Sequence, residues 1–174
     1  MIIKTSNVPI DLLDVTRDAV QFYVDTYFTA RTKKRMDTIT IAFRKFTGDE
    51  LAMASCEDNE GRLPVEFLVE FSQKHRDIPV REYLITLFHE MTHIHQYATG
   101  RLKNRHLYCM WEGERWGYED KDYWDLPWEL EAMSIETGAY VKFFEARPAY
   151  DLGRWKPTYL GRKASGWVAE PKAL

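Results

Sequence analysis

The hydrophobic positions near the N-terminus predict an amphipathic helix. Between Pro9 and about Ala30, apolar residues recur at spacings of three, four and seven, which is the pattern of one face of an α-helix. Pro9 lies in the predicted first turn, where a missing N–H is tolerated. The basic run RTKKR at 31–35 suits a solvated connection whose charge complements the helix C-terminus. The apolar face consists of Ile10, Leu13, Val20, Val24, Tyr27 and Phe28.

A change to alternating periodicity predicts three strands after this helix. In TITIAF at 38–43, large apolar residues alternate with smaller ones. The turn sequences TGDE and DNEG then separate this segment from LAMASCE at 51–57 and LPVEFLVEF at 63–71. In the last segment one face is apolar, and Glu66 and Glu70 lie on the other. These patterns predict a small, three-stranded, mostly antiparallel sheet that is covered on one side.

Two longer segments with helical periodicity follow. VREYLITLFHEMTHIHQYA begins just after Pro79 and runs to Gly100, a residue type that commonly ends helices. A second helix is predicted to begin around Pro127 and to end before Pro148. The stretch between them, 101–125, is aromatic and is predicted to be loop-like. The order of elements predicts an α+β fold with an N-terminal helix, a small three-stranded sheet and two further helices.

The composition indicates one globular domain over residues 1–174, with an irregular C-terminal tail at 149–174. Hydrophobic residues make up 45% of the chain and charged residues 29%, which excludes a disordered or collagen-like protein. A length of 174 residues does not favour two full domains. The net charge of −3 provides no general attraction to nucleic acid or to an anionic membrane, so neither is an expected partner.

Cysteine usage and the N-terminal sequence favour a cytoplasmic location. Cys56 and Cys109 form no repeated C-x-x-C pattern, and a reducing compartment is the simplest interpretation. Acidic residues interrupt the apolar region that a signal peptide would require in MIIKTSNVPIDLLDVTRD. The chain has no run of about 18 apolar residues that would cross a membrane.

The segment LFHEMTHIHQY at 87–97 carries the most specific chemistry in the sequence. On a helix, His89 and His93 lie one turn apart on one face and can direct ring nitrogens at one metal ion about 2.0–2.1 Å away. Glu90 is rotated by about 100° from His89, which suits a general base beside the metal. A random chain of this length contains H-E-x-x-H with a probability of about one percent or less. A di-iron site would require a second E-x-x-H, which the sequence lacks.

A catalytic zinc usually has three protein ligands, so a third residue is required. His95 lies about 200° round the helix from His93 and is predicted to be a packing or surface residue. His106 follows the helix in a basic stretch that is predicted to be exposed. The better candidates therefore lie in the second helix.

The sequence PWELEA places Glu129 and Glu131 at the start of that helix. Glu129 is the preferred third ligand because the small side chain of Ala132 on its face permits close approach to the metal helix. Two alternatives stay open: Glu131 is the ligand, or the acidic residues only complement the helix dipole. The residues that share the face of Glu129 are Ala132, Met133 and Glu136.

With HEMTH and the E-x-x-A sequence Glu129-Leu-Glu-Ala132, the chain resembles the gluzincin branch of zinc metallopeptidases. The order of helix, strands, metal helix and second helix resembles minimal gluzincins, including SprT-like and ImmA/IrrE-like domains. The context HEMTHIHQY…W-x-G…YWDLPWELEA is similar to small, often phage-encoded zincin-like proteins. The resemblance in element order covers roughly residues 9–146, and the specific motifs cover 87–97 and 127–133.

The resemblance implies a zincin-like fold and hydrolysis of a peptide or protein substrate. It assigns His89, His93 and Glu129 as Zn²⁺ ligands. It makes Glu90 the general base, which takes a proton from water whose pKa zinc lowers toward about 7. Several gluzincins have Asp after the E-x-x-A alanine, where this chain has Met133. The histidines must therefore be oriented by another group.

Substrate contacts are less well defined by the sequence. The segment 63–71 is a candidate edge strand for an extended peptide, in which case Glu66 and Glu70 favour basic substrates; an internal strand is equally compatible with the pattern. A donor to the developing oxyanion is also expected, and each candidate has a structural role as its alternative. The candidate donors are Tyr118, Tyr123 and His106.

Two other functions are compatible with the same residues. One is a zinc-stabilised interaction or regulatory protein without catalysis. The other is a DNA-associated protease, which the acidic net charge and the lack of a recognisable zinc-finger extension disfavour. No pattern in the sequence indicates an oligomeric state.

Overall fold

A mixed four-stranded sheet lies at the centre of the computed structural model, which describes residues 1–56, 62–105, 107–117 and 122–148. Strand β2 pairs in parallel with β1 and with β4, and β3 pairs antiparallel with β4. The expected three-stranded, mostly antiparallel sheet is therefore wrong in strand number and in direction. In spatial order the strands are β1 (Ile2–Ser6), β2 (Thr38–Arg44), β4 (Glu66–Ser72) and β3 (Ala52–Cys56).

Two features of the sequence conceal this topology. Strand β1 is short and largely exposed, with Ile2 at 61% exposure, so its alternation carries little hydrophobic signal. The chain between β1 and β2 forms helices, and parallel neighbours require such a crossover. Turn sequences give the ends of strands but not their spatial order. They did not show that β4 lies between β2 and β3.

The described residues contain four α-helices. The structure confirms the two long C-terminal helices, α3 and α4. The N-terminal helix is shorter than predicted, because Pro9 lies in a turn whose carbonyl accepts a hydrogen bond from the Leu12 N–H. The predicted basic connection forms a separate short helix, α2, capped by the Thr29 side chain. The helices are α1 (Leu13–Tyr27), α2 (Ala30–Arg35), α3 (Val80–Thr99) and α4 (Pro127–Ala146).

Gly100 ends α3, as the sequence predicts. Its φ of 76° is the left-handed conformation that favours glycine, and its N–H bonds back to the carbonyls of Gln96 and Tyr97. A Cβ at this position would lie 2.5 Å from Cδ2 of Leu63. The backbone conformation therefore favours glycine here, and a larger residue would also have to displace the terminal methyl group of Leu63.

Helix α3 is held on two sides. One side packs on β3 and β4, and α1 and α4 pack against it elsewhere. Two buried hydroxyl pairs fix α1 on α3: Tyr23 with Thr92 at 2.8 Å and Tyr83 with Thr16 at 2.7 Å. Because buried hydroxyls are costly without partners, these pairs specify one orientation of α3 on α1.

The aromatic stretch after α3 forms a second sheet and not the loop that its composition suggested. Its three antiparallel strands are β5 (Leu102–Arg105), β6 (Tyr108–Trp111) and β7 (Glu114–Gly117). Trp111 and Trp116 lie against Trp128 of α4, with ring centroids 6.2 and 6.3 Å away. The small sheet thus fixes the start of α4.

Two further expectations concern the C-terminal tail and membrane-spanning helices. The predicted irregular tail, 149–174, lies outside the described residues. Within the described ranges, no helix combines the length and the apolar character needed to span a bilayer.

Candidate metal centre

Three side chains from α3 and α4 converge on one point. His89 and His93, one turn apart on α3, have their Nε2 atoms 3.2 Å apart. The Oε2 atom of Glu129 lies 3.2 Å from His89 Nε2 and 3.4 Å from His93 Nε2. These three donor atoms could together hold a metal ion. His93 and Glu129 are buried, and His89 is nearly so.

The fold explains why Glu129 reaches the histidines. Pro127 is in the first turn of α4, where its fixed φ favours the helix start, and Trp128 anchors that turn against β6 and β7. Ala132, one turn further on, is fully buried in this helix, which packs closely on α3. The small side chain at 132 is what the sequence predicted for close approach of the two helices.

Each histidine is oriented through its other ring nitrogen. Nδ1 of His89 lies 2.8 Å from Oε2 of Glu136, and Nδ1 of His93 lies 2.9 Å from Oε1 of Gln96. With Nδ1–H donating to these oxygens, both Nε2 lone pairs are directed at the shared point. Glu136 and Gln96 thus supply the orienting hydrogen bonds that the side chain of Met133 cannot provide.

Gln96 is itself fixed by a chain of contacts. Its Nε2 donates to the Trp128 carbonyl at 3.0 Å and to Oε2 of Glu131 at 2.8 Å. Two acceptors on the nitrogen leave the amide oxygen for the histidine, which sets the orientation of the amide. Glu131 is also paired with Arg101, at 2.8 Å. Glu131, the alternative third ligand, therefore lies in the layer around the site and is not among the three converging residues.

Glu90 lies beside the three donors but does not join them. Its carboxylate is buried and interacts with the backbone of Ala54 on β3. Burial raises the pKa of Glu90, and the nearby histidines oppose this rise. The pKa of such a carboxyl group lies nearer to neutral pH than that of an exposed glutamate. This suits proton transfer.

The donor groups perturb each other's ionisation strongly. Burial opposes the imidazolium form of His89, but hydrogen bonds to Glu129 and Glu136 outweigh it and raise the pKa to about 10. The same competition, with Glu129 as the bonded partner, raises the pKa of His93. For Glu129, burial is outweighed by bonds from both histidines, which lower the pKa to about 2. Without a metal, protons on the two histidines stabilise the cluster through hydrogen bonds to Glu129.

The metal-free protein is expected to lose stability as the pH rises from about 6.5 to 10. Because the folded state raises the pKa of His89 above its ordinary value near 6.5, the proton on His89 stabilises the fold fully below pH 6.5. This contribution is lost as the pH approaches 10. Thermal unfolding of chelator-treated protein across this range measures the effect. His89→Gln should flatten the dependence; a wild-type midpoint that rises with pH would contradict the assignment.

Replacing Glu136 with alanine is expected to weaken metal binding about 10- to 100-fold, which is typical for the loss of a carboxylate that orients a histidine ligand. Glu136→Gln keeps an acceptor for His89 and should weaken binding less. Competition with a chromophoric chelator measures both affinities. Glu145→Gln, an exposed change on the same helix, is the matched control. Equal affinities for Glu136→Ala and the control would show that Glu136 does not orient His89.

The remaining histidine of α3 and the candidate oxyanion donors lie in different surroundings. His95 packs edge-on against Phe28, with ring centroids 4.9 Å apart, as expected of a packing residue. The Tyr123 hydroxyl donates a hydrogen bond to Glu129, although more than half of the residue is exposed. Tyr118 and His106, the other candidate oxyanion donors, lie outside the described residues.

The candidate edge strand for substrate is not at an edge. Strand β4, which contains most of segment 63–71, is flanked by β2 and β3. The strand beside Glu90 is β3, whose only strand partner among the described residues is β4. The reading of 63–71 as an internal strand is therefore correct, and the edge next to the site belongs to β3.

Gln96 was missed by the sequence analysis, although its spacing of three from His93 places it on the same helix face. Glu136 was placed on the face of Glu129 without a role.

Comparison of the chain with models of protein families, with curated proteins and with solved structures finds no match. Functional interpretation rests on the geometry of the site.

Proposed function

We propose that this protein is a zinc-dependent peptidase of the minimal gluzincin type with a zincin-like fold. One observation carries the proposal: two imidazole nitrogens and one carboxylate oxygen converge, and the buried carboxylate of Glu90 lies beside them. Two histidines and a glutamate are a ligand set of catalytic zinc sites, which keep one position open for water or substrate.

The spacing of the donor atoms fits zinc. Tetrahedral coordination with bonds of about 2.0–2.1 Å places ligand atoms about 3.3 Å apart. The three donor separations are 3.2, 3.2 and 3.4 Å. Three electron-rich atoms this close inside a protein require protons or a cation between them. The residues present therefore suit a zinc ion held by His89, His93 and Glu129.

When bound, zinc would act as a Lewis acid that makes water more acidic and polarises a carbonyl group. Glu90 would accept a proton from the attacking water while the water oxygen bonds to the carbonyl carbon of the substrate. Glu90 would then return the proton to the amine nitrogen as the C–N bond breaks. The burial that raises the pKa of Glu90 supports both transfers. Tyr123, whose hydroxyl already reaches Glu129, is the described residue best placed to donate to the developing oxyanion.

Strand β3 is proposed to hold the substrate. An extended peptide can add to a strand edge through backbone hydrogen bonds, and Ala54 of β3 contacts the base Glu90. A peptide paired along β3 would therefore present a carbonyl group close to Glu90 and the three ligands.

Peptide cleavage by the zinc-loaded protein tests this proposal. The substrate is a mixture of synthetic peptides of varied sequence, and mass spectrometry identifies new termini. We expect cleavage by protein that carries one zinc per chain. Chelator-treated protein should not cleave, and added zinc should restore activity. Folded, zinc-loaded protein that cleaves no more than its chelated form would overturn the peptidase proposal.

A further inference from the structure

Exposed apolar side chains are grouped beside the proposed metal centre. Tyr123, Trp124 and Leu130 are 53%, 64% and 51% exposed, and along the chain they lie on either side of the buried Glu129. Single exposed apolar residues are common on proteins, whereas grouped ones mark surfaces that bind a ligand or a partner. The paired rings of Tyr123 and Trp124 are called the aromatic corner below.

Tyr123 connects this corner to the reacting groups. Its hydroxyl donates a hydrogen bond to Glu129, while more than half of the residue is open to solvent. Burial of the hydroxyl and the charges of Glu129 and Glu90 raise the pKa of Tyr123, so the hydroxyl lies close to the proposed base as well as to the ligand. The tyrosine ring therefore extends from the centre of the site to the surface.

The site lies between this tyrosine and strand β3. Glu90 contacts the backbone of Ala54 on β3, and Glu129 accepts the hydrogen bond from Tyr123. A peptide paired along β3 would therefore have the tyrosine ring on the side of the site away from the strand. Side chains of an extended peptide alternate in direction, so one near the reacting bond can turn toward that ring.

The two rings are arranged so that a third ring fits between them. Their centroids are 5.1 Å apart, and the angle between their planes is 85°. Aromatic pairs favour stacked or edge-to-face contacts with centroids about 4.5–7 Å apart, so a guest ring can stack on one ring and present its edge to the other. An extended peptide rises about 3.3 Å per residue, so the corner spans one or two of its residues.

We propose that the aromatic corner is a substrate subsite for a large apolar side chain, aromatic above all, within about three residues of the reacting bond. The inference rests on the proposed peptidase function and specifies its substrate class. The occupant is a substrate side chain because Tyr123, which forms half of the corner, is hydrogen-bonded to the ligand Glu129. Trp124 is the specificity-determining residue, since its ring lies one step further from the ligand and adds contact area for the guest.

A cleavage profile of the zinc-loaded protein tests the subsite. The library consists of acetylated, amidated peptides in matched pairs that differ only by Phe or Ala at one position. We expect a preference of about fivefold or more for Phe at one position, and added salt should not weaken it because ring contacts are not screened as ion pairs are. The preference should fall below about twofold in Trp124→Ala and persist in Trp124→Phe, which keeps an aromatic ring.

Val141→Ala is the matched control for the loss of an exposed apolar side chain. Val141 is 45% exposed on α4, about 18 Å along the helix from Glu129, and its replacement should leave the Phe preference unchanged. Sedimentation of wild type and Trp124→Ala checks a second occupant of the corner. A dimer of the wild type that Trp124→Ala dissociates would overturn the subsite in favour of a contact between copies of the chain.

A binding measurement separates failure of the subsite from failure of the peptidase proposal. Calorimetry with zinc-loaded Glu90→Gln protein compares acetyl-tetraalanine-amide with the four peptides that carry Phe at one position. Tighter binding of a Phe peptide that is lost in the Trp124→Ala background supports the subsite even if no peptide is cleaved. Cleavage without a Phe preference, binding without one, or a preference that Trp124→Ala leaves unchanged would overturn the subsite and leave the peptidase proposal to its own test.

Discussion

Alanine in place of His93 is expected to abolish zinc binding. The substitution removes one of three converging donors and leaves Glu129 with a single imidazole partner in a buried position. Loss of an orienting residue alone typically costs 10- to 100-fold in affinity, so loss of a ligand should cost more than about 100-fold. Elemental mass spectrometry on protein purified without added metal should find about one zinc per wild-type chain. It should find almost none in His93→Ala and a reduced amount in Glu129→Ala.

Two neighbouring substitutions serve as matched controls for this experiment. His95→Ala removes a histidine two residues away that packs against Phe28, and it should keep its zinc. Glu131→Gln changes the glutamate that pairs with Arg101 and should also keep most of its zinc. Zinc retained by His93→Ala at the wild-type level, or absent from the wild type even after reconstitution, would refute the three-ligand site.

The two helices that carry the converging donors could be predicted because their ends have local chemical causes. Pro127 fixes the start of α4, and Gly100 ends α3 by adopting a conformation that other residues avoid. Between these ends, helical spacing alone places His89 with His93 and Glu129 with Glu136 on common faces. The convergence of His89, His93 and Glu129 could therefore be predicted from the sequence on the assumption that the second helix packs against the first.

The remaining features depend on contacts between distant parts of the chain. The order of strands in the sheet depends on the packing of the crossover between β1 and β2, and the turn residues carry no information about it. The second sheet was missed because its strands are only four residues long and its tryptophans pack against Trp128, which lies far along the chain in α4. The roles of Gln96 and Glu136 likewise require the distance between α3 and α4.

Glutamine in place of Glu90 is expected to reduce peptide hydrolysis by about 10²- to 10⁴-fold while zinc binding and folding are retained, because general acid–base catalysis typically contributes this factor. Glutamine has the same shape as glutamate and keeps an acceptor for the backbone of Ala54, but it cannot take a proton at neutral pH. Burial raises the pKa of Glu90, so its charged form disfavours the fold. Thermal unfolding of the metal-free variant should therefore occur at or above the wild-type midpoint.

The Glu90→Gln experiment separates catalysis from metal binding only if zinc content and melting midpoint are measured on the protein used in the assay. Glu114→Gln, an exposed change on β7, controls for removal of a negative charge and should keep full activity. Full hydrolysis by zinc-loaded Glu90→Gln would exclude Glu90 as the base. If neither the wild type nor the variant hydrolyses peptides while both hold zinc, the buried Glu90 has no catalytic role, and a zinc-stabilised interaction protein becomes the better interpretation of the same site.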